Sequence, residues 1–79
     1  MTPSAALLPR GDATRAALLA AALQVFGDKG FEAASTRQIA AAAGVNIAMI
    51  AYHFGGKEGL RGACADHVAA VLSKIFASA

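Results

Sequence analysis

Several residue types are scarce in this chain of 79 residues, and their scarcity excludes several classes of protein. There is one cysteine, there is no tryptophan, and there are only two prolines. Because a single cysteine cannot form an internal disulfide, the sequence falls outside the small disulfide-stabilised class and suits a reducing compartment. Asp, Glu, Lys and Arg make up 15% of the residues, against about 25% in ordinary domains. The alternation of β-branched and polar residues that predicts strands is also missing, so we expect no sheet.

Charge is missing most completely from the middle of the chain. Between Arg37 and Lys57 the run QIAAAAGVNIAMIAYHFGG contains no Asp, Glu, Lys or Arg. A membrane-spanning helix needs about 20 predominantly apolar residues, which is close to this length. Gly44 divides the run, however, and side chains such as Asn46 and His53 would place polar groups inside the bilayer. We therefore expect no membrane span.

The first predicted helix follows an N-terminal arm. Residues 1–11 contain both prolines and a glycine, which favours a flexible arm, and Asp12 is the predicted N-cap of the helix. Gly30 is the predicted C-terminal cap, and Phe31 is expected to fill the space between helices. The predicted apolar face has the helical spacing i, i+3, i+4, i+7 and consists of Leu19, Ala22, Leu23 and Phe26.

Two short helices and one longer helix are predicted to follow. The residues expected to cap or break them are, in order, Ser35 or Thr36, Gly44, Asn46, Gly55 and Gly56. The fourth helix begins near Lys57 and runs to the end of the chain, and its predicted apolar face consists of Leu60, Cys64, His67, Val68, Val71 and Ile75.

Two short helices joined by a glycine turn form the helix-turn-helix pattern. Ala40 offers a small side chain where the helices cross, and Gly44 can adopt the positive φ that a tight turn needs. Ile39, Val45 and Ile50 can then face a common core. We predict an all-α fold, a small helical bundle with three helices over residues 12–56 and the start of a longer fourth helix over residues 57–79.

These residues resemble a known family. The runs ALQVFGDKGFEAAS and STRQIAAAAGVNIAMIAYHFGGKEGL are similar to the DNA-binding domain of the tetracycline-repressor (TetR) family of bacterial transcriptional regulators. The likeness covers roughly residues 14–62. It rests on the joint spacing of Phe26, Gly30, Phe31, Thr36, Ile39, Ala40, Ala43, Gly44, Val45, Ile50, Tyr52, His53, Phe54, Lys57, Glu58 and Leu60.

The resemblance implies a DNA-binding role for particular side chains. The second helix would brace the DNA backbone, and Arg37 would reach a phosphate or a guanine edge. The third helix would read the major groove, where small and apolar side chains contact thymine methyl groups. Lys57 would bring its charge and its backbone N–H to a phosphate. The expected DNA-binding residues are Thr36, Arg37, Asn46, Ile47, Ala48, Met49, Tyr52, His53 and Lys57.

The resemblance also implies partners outside the chain. Family members continue into a domain that binds a small-molecule effector and forms a homodimer, so the fourth helix is expected to link to such a domain, absent from this chain. The expected partner is a palindromic double-stranded DNA operator in the cytoplasm. Two local departures weaken the likeness, since Ala51 replaces the first of two usual tyrosines and Gly56 replaces a usual Ser, Asp or Asn cap.

Other functions have weaker support. Cys64 and His67 lie i, i+3 on one helix, but a zinc site needs three or four ligands, so core packing is the expected role of both. No glycine-framed nucleophile is present, and we expect no catalytic residue, cofactor or metal. Arg10 and Arg15 are candidates to reach a flanking groove of the DNA. The alternative to DNA binding is a helical protein-interaction or assembly module with little DNA affinity, which the low charge favours.

Overall fold

The computed structural model describes residues 10–78, and within them the chain forms four helices and no strand. The helices are α1 (Arg10–Lys29), α2 (Thr36–Ala43), α3 (Ala48–Phe54) and α4 (Lys57–Ser78). The predicted all-α bundle with a helix-turn-helix is confirmed. Within the same residues, no helix combines the length and the apolar character that crossing a membrane requires.

The start of α1 differs from the prediction. Residues 1–9 of the predicted arm lie outside the described residues, and Gly11 is already helical. Asp12 was predicted to be the N-cap, which is wrong, because the helix begins two residues earlier and places Asp12 in its first turn. A carboxylate there still interacts favourably with the positive end of the helix dipole.

The core takes at least one large side chain from each helix. Leu18 of α1, Ile39 of α2, Ile50 of α3 and Leu60 of α4 are each 2% exposed or less. Small residues surround them where the helices approach closely, namely Ala21, Ala22, Ala40 and the thiol of Cys64. Since all four helices share this one cluster, the two short helices are held in place by tertiary packing, not by their own propensity.

Two predicted apolar faces are corrected by this packing. In α1 the buried face is centred on Leu18, Ala21 and Ala22, while Leu19 and Leu23 lie at its edge, half-buried. The predicted face was thus shifted by one residue toward the C-terminus. The leucines and alanines of α1 form two overlapping apolar stripes with helical spacing, and the sequence does not distinguish between them. In α4 the predicted face is buried only at Leu60 and Cys64. The predicted members that remain exposed are His67, Val68, Val71 and Ile75.

The turn between α2 and α3 has the geometry that the sequence predicted. Gly44 has φ +71°, in the left-handed region that favours glycine. Its N–H donates to the carbonyl oxygen of Ala41, and the N–H of Val45 donates to that of Ala40, both at 3.1 Å. This pair of hydrogen bonds is the Schellman motif, which satisfies the last carbonyl groups of α2. Val45 then packs against the core cluster and fixes the direction in which the chain enters α3.

Candidate nucleic-acid interface

The outer face of α3 is apolar and yet exposed. Ile47 just before the helix is 44% exposed and Tyr52 is 77% exposed, while Ala48 and Ala51 between them are also exposed. Ile50, on the opposite side, is fully buried. A short helix that contributes one residue to the core and presents small and apolar side chains outward can contact the edges of base pairs.

Asn46 fixes the start of this helix. Its side-chain Oδ1 accepts a hydrogen bond from the N–H of Ala48 at 2.8 Å, and its backbone carbonyl accepts from the N–H of Met49 at 3.0 Å. Ile47, which precedes the first helical residue, supplies no side-chain cap. Asn46 therefore performs the predicted capping, which commits its acceptor oxygen and leaves its amide N–H groups as the donors it could offer to DNA.

Met49 differs from its neighbours on α3. The structure places it half-buried and packed against the core cluster, so only part of its side chain faces outward. Its expected contact with the major groove stays a prediction, and the structure adds a packing role. Ala51, by contrast, is exposed and belongs to the outer face of α3. It was not among the expected contact residues.

The start of α2 is tightly capped. The N–H of Gln38 donates to Ser35 Oγ, and the N–H of Ser35 donates to Gln38 Oε1, both at 3.0 Å. This is a capping box, which satisfies two backbone donors reciprocally. Thr36 follows as the first helical residue, half-buried, and Arg37 extends into solvent. The box thus orients the first turn of α2 and the cationic side chain that it carries.

Lys57 begins α4 and lies over an aromatic ring. Its Nζ is 4.4 Å from the centre of the Phe31 ring, and the guanidinium carbon of Arg61 is 4.6 Å from the same centre. Arg61 also forms an ion pair with Glu58 at 3.6 Å. Sequence reasoning missed Phe31 and Arg61 as members of this cluster. The i, i+4 spacing of Lys57 and Arg61 was a usable signal, but the ring that joins them is distant in the sequence.

His53 lies in a different groove of the bundle from Phe31 and Arg61. It is half-buried and its ring meets the ring of Tyr52 edge-on, with 4.9 Å between the centres. It lines a groove of about 560 Å³ together with Arg15, Phe54, Asp66 and His67. The guanidinium carbon of Arg15 is 4.9 Å from the centre of the Phe54 ring, which fixes this arginine beside His53.

Cys64 and His67 lie in different environments, one in the core and the other at the surface. Cys64 is buried in the core, and burial raises the pKa of its thiol. His67 is exposed on the groove that holds His53, so the expectation that both residues pack in the core is wrong for His67. The i, i+3 spacing places both residues on about the same side of α4, but the core ends at Cys64, so His67 extends past it into solvent. Within residues 10–78, no three His, Cys, Asp or Glu side chains lie close enough together to hold a metal ion.

Comparison with known proteins is consistent with this geometry. Residues 18–64, more than half of the chain, match the family described as bacterial regulatory proteins, tetR family. The chain is 46% identical to the HTH-type transcriptional dual regulator CecR of Shigella flexneri over 71 residues, which is 90% of the chain and 31% of CecR. It is 55% identical to the HTH-type transcriptional regulatory protein RaaS of Mycobacterium tuberculosis over 49 residues, 62% of the chain and 23% of RaaS.

The chain thus spans about a third or less of these two relatives. The matched region contains α2, the Gly44 turn and α3, and it ends at the last buried residue of α4. The capped second helix, the left-handed glycine and the exposed third helix form the helix-turn-helix that the relatives' names specify. The chain belongs to the tetR family of bacterial regulatory proteins and carries that family's DNA-binding domain.

Proposed function

We propose that the chain is the sequence-specific DNA-binding module of a cytoplasmic one-component transcriptional regulator. The observation that carries the proposal is the exposed apolar face of α3, which lies between two helix starts that each carry a cation, Arg37 in the capped first turn of α2 and Lys57 at the start of α4. A face of this kind suits base edges, while the flanking cations suit phosphates.

In the proposed complex α3 lies in the major groove. Ile47, Ala48 and the exposed part of Met49 contact base edges, chiefly thymine methyl groups, and Asn46 donates from its amide group. The remaining predicted contacts are to the sugar–phosphate backbone. These are made by Thr36, Tyr52, His53 and Lys57, while Arg37 reaches a phosphate or a guanine edge. Because α3 has no Arg, Lys, Gln or Glu, discrimination should be modest, near the low end of about 1–3 kcal/mol per base pair.

For the whole protein we propose a homodimer on a palindromic operator and a repressor released by a small-molecule effector. One relative from Mycobacterium tuberculosis, 39% identical over 72 residues, is named a transcriptional repressor, whereas CecR is named a dual regulator. The exposed apolar side chains of α4 support an attached domain that covers them. They are Val68, Val71, Leu72, Ile75 and Phe76.

The same apolar face supports the second candidate function, a protein-interaction or assembly module. The surface continues from a groove of about 570 Å³ lined by Phe26, Phe31, Cys64, Val68 and Leu72. Contiguous apolar patches of this kind occur at interfaces. This function requires the α4 face and no contribution from α3.

Salt-dependent binding to duplex DNA separates the two functions. DNA binding through phosphates should weaken steeply with salt, because each neutralised phosphate releases condensed counterions. Selection from a random duplex pool should then enrich a thymine-containing motif. Two outcomes would favour the interaction module. One is DNA binding with no salt dependence. The other is no DNA binding even at low salt, together with a self-association that Leu72→Lys abolishes.

A further inference from the structure

Phe31 occupies an unusual position relative to the proposed phosphate contact. Its ring lies under both Lys57 Nζ, at 4.4 Å, and the guanidinium carbon of Arg61, at 4.6 Å. The ring itself is held from α1, since its centre is 5.5 Å from the centre of the Phe26 ring and the two planes are tilted by 49°. One aromatic side chain in the α1–α2 turn therefore ties the first turn of α4 to the end of α1.

The two cations on this ring are not equivalent. Arg61 has a carboxylate partner, Glu58, at 3.6 Å, which offsets its charge. Within residues 10–78 that is the sole ion pair, so no carboxylate among the described residues pairs with Lys57, and its ammonium group is available to an external anion. Lys57 is also half-buried although it begins a helix at the surface, as expected of a stem that lies along the ring.

We propose that Phe31 is a positioning residue for DNA binding, which acts by holding the Lys57 ammonium in place for a phosphate; this rests on the proposed function. A lysine side chain is long and flexible, so an unrestrained one loses much rotamer freedom when it binds. A cation–π contact restricts that freedom in the free protein while leaving the donors of the ammonium group available. Arg61 lies over the same ring and has Glu58 as a carboxylate partner, whereas Lys57 has none among the described residues.

The test is a double-mutant cycle between Phe31→Leu and Lys57→Ala. Binding of each variant of the chain to a fluorescent mixed-sequence duplex of about two helical turns is titrated at low salt. We expect Phe31→Leu to weaken binding about two- to fivefold in the wild-type background, the change that corresponds to an exposed cation–π contact. It should have no further effect once Lys57 is alanine. Phe31→Tyr keeps the ring and should bind like the wild type.

A second measurement needs no variant. In the wild-type chain, aromatic ring current should move the Lys57 Hε protons upfield of those of Lys29 and Lys74, which serve as exposed controls. An unshifted Lys57 resonance overturns the inference even if Phe31→Leu does not fold.

The outcomes separate the two proposals. Equal weakening by Phe31→Leu in both backgrounds assigns Phe31 a purely structural role and overturns this inference alone. Unchanged binding of the Lys57→Ala variant overturns it as well. No DNA binding by the wild type overturns the proposed function and this inference together.

Discussion

The carbonyl oxygen of Phe54 at the end of α3 lies against the Cα of Gly59 in α4, in space that a Cβ on residue 59 would occupy. Nothing lies within 4 Å of the corresponding position at Gly62, one turn further along the same helix. The closeness of α3 and α4 therefore depends on the missing side chain at residue 59.

The first prediction follows from this contrast. Gly59→Ala should destabilise the chain by about 1–3 kcal/mol, because the new methyl group must push α4 away from α3. Gly62→Ala is the matched control and should stabilise by up to about 1 kcal/mol, since alanine has the higher helix propensity and room is available. Urea unfolding followed by circular dichroism measures both. Equal effects of the two substitutions would contradict the close approach.

The second prediction concerns the capping box of α2. Ser35→Ala should lower the free energy of unfolding by about 0.5–2 kcal/mol, because the N–H of Gln38 loses its acceptor. Ser35→Asp restores an acceptor and should recover most of the loss. Ser73→Ala provides the control, since Ser73 is an exposed interior residue of α4. Thermal unfolding gives the ranking, and a loss at Ser73 as large as at Ser35 would argue against the cap.

The third prediction concerns the two cations that flank α3. Arg37→Ala and Lys57→Ala should each reduce the slope of log affinity against log salt concentration by about one unit, because each removes one of the proposed phosphate contacts. Lys74→Ala, exposed near the far end of α4, should leave the slope unchanged. Titrations of duplex DNA at several salt concentrations provide the slopes. If Lys74→Ala lowers the slope as much as the other two, the contacts are not localised.

The fourth prediction separates reading from packing within α3. Ile47→Ala should relax sequence preference in a random-duplex selection while leaving stability almost unchanged, because Ile47 is exposed. Met49→Ala should destabilise the chain, by less than the roughly 2–5 kcal/mol of a fully buried methionine, because Met49 packs against the core only in part. Selection and chemical unfolding are run on both variants. A stability loss for Ile47→Ala larger than that for Met49→Ala would reverse the assignment.

The fifth prediction is a pH dependence at Cys64. Burial raises the pKa of this thiol in the folded chain, so folding favours the neutral form. The stabilisation is fully present below the pKa of the thiol in the unfolded chain and is lost as the pH rises through the folded-state pKa. Urea unfolding at increasing pH should therefore show an alkaline loss of stability, and Cys64→Ala should remove part of it. An alkaline loss of stability that is identical in wild type and variant would assign it to other groups.

Short-range patterns predicted much of this structure. The cap at Ser35, the glycine turn at 44 and the capping by Asn46 all depend on residues within five positions of one another, so short-range patterns are enough to predict them. The helix-turn-helix pattern also predicted that Ile39 of α2 and Ile50 of α3 face the core, where the structure places them.

The features that sequence reasoning missed are set by contacts between distant segments. Leu18 and Leu19 are equally apolar, and only packing against the other helices decides which one is buried. The Phe31–Lys57 contact joins residues from different elements, so no local pattern announces it. His67 was assigned to a core that ends at Cys64, because the sequence gives no measure of how far the bundle extends along α4.

The exposed positions in and just before α3 are separate from those that pack in the core, and this separation has an evolutionary consequence. Positions 47, 48, 51 and 52 are exposed, so their side chains contribute little to the free energy of folding. In the proposed complex, substitutions there change the contacts with base edges without a loss of stability that another mutation must compensate. Ile50 and, in part, Met49 hold the helix against the core whichever side chains occupy the exposed positions. A scaffold arranged in this way can acquire new binding specificities by single steps, each of which leaves a folded protein.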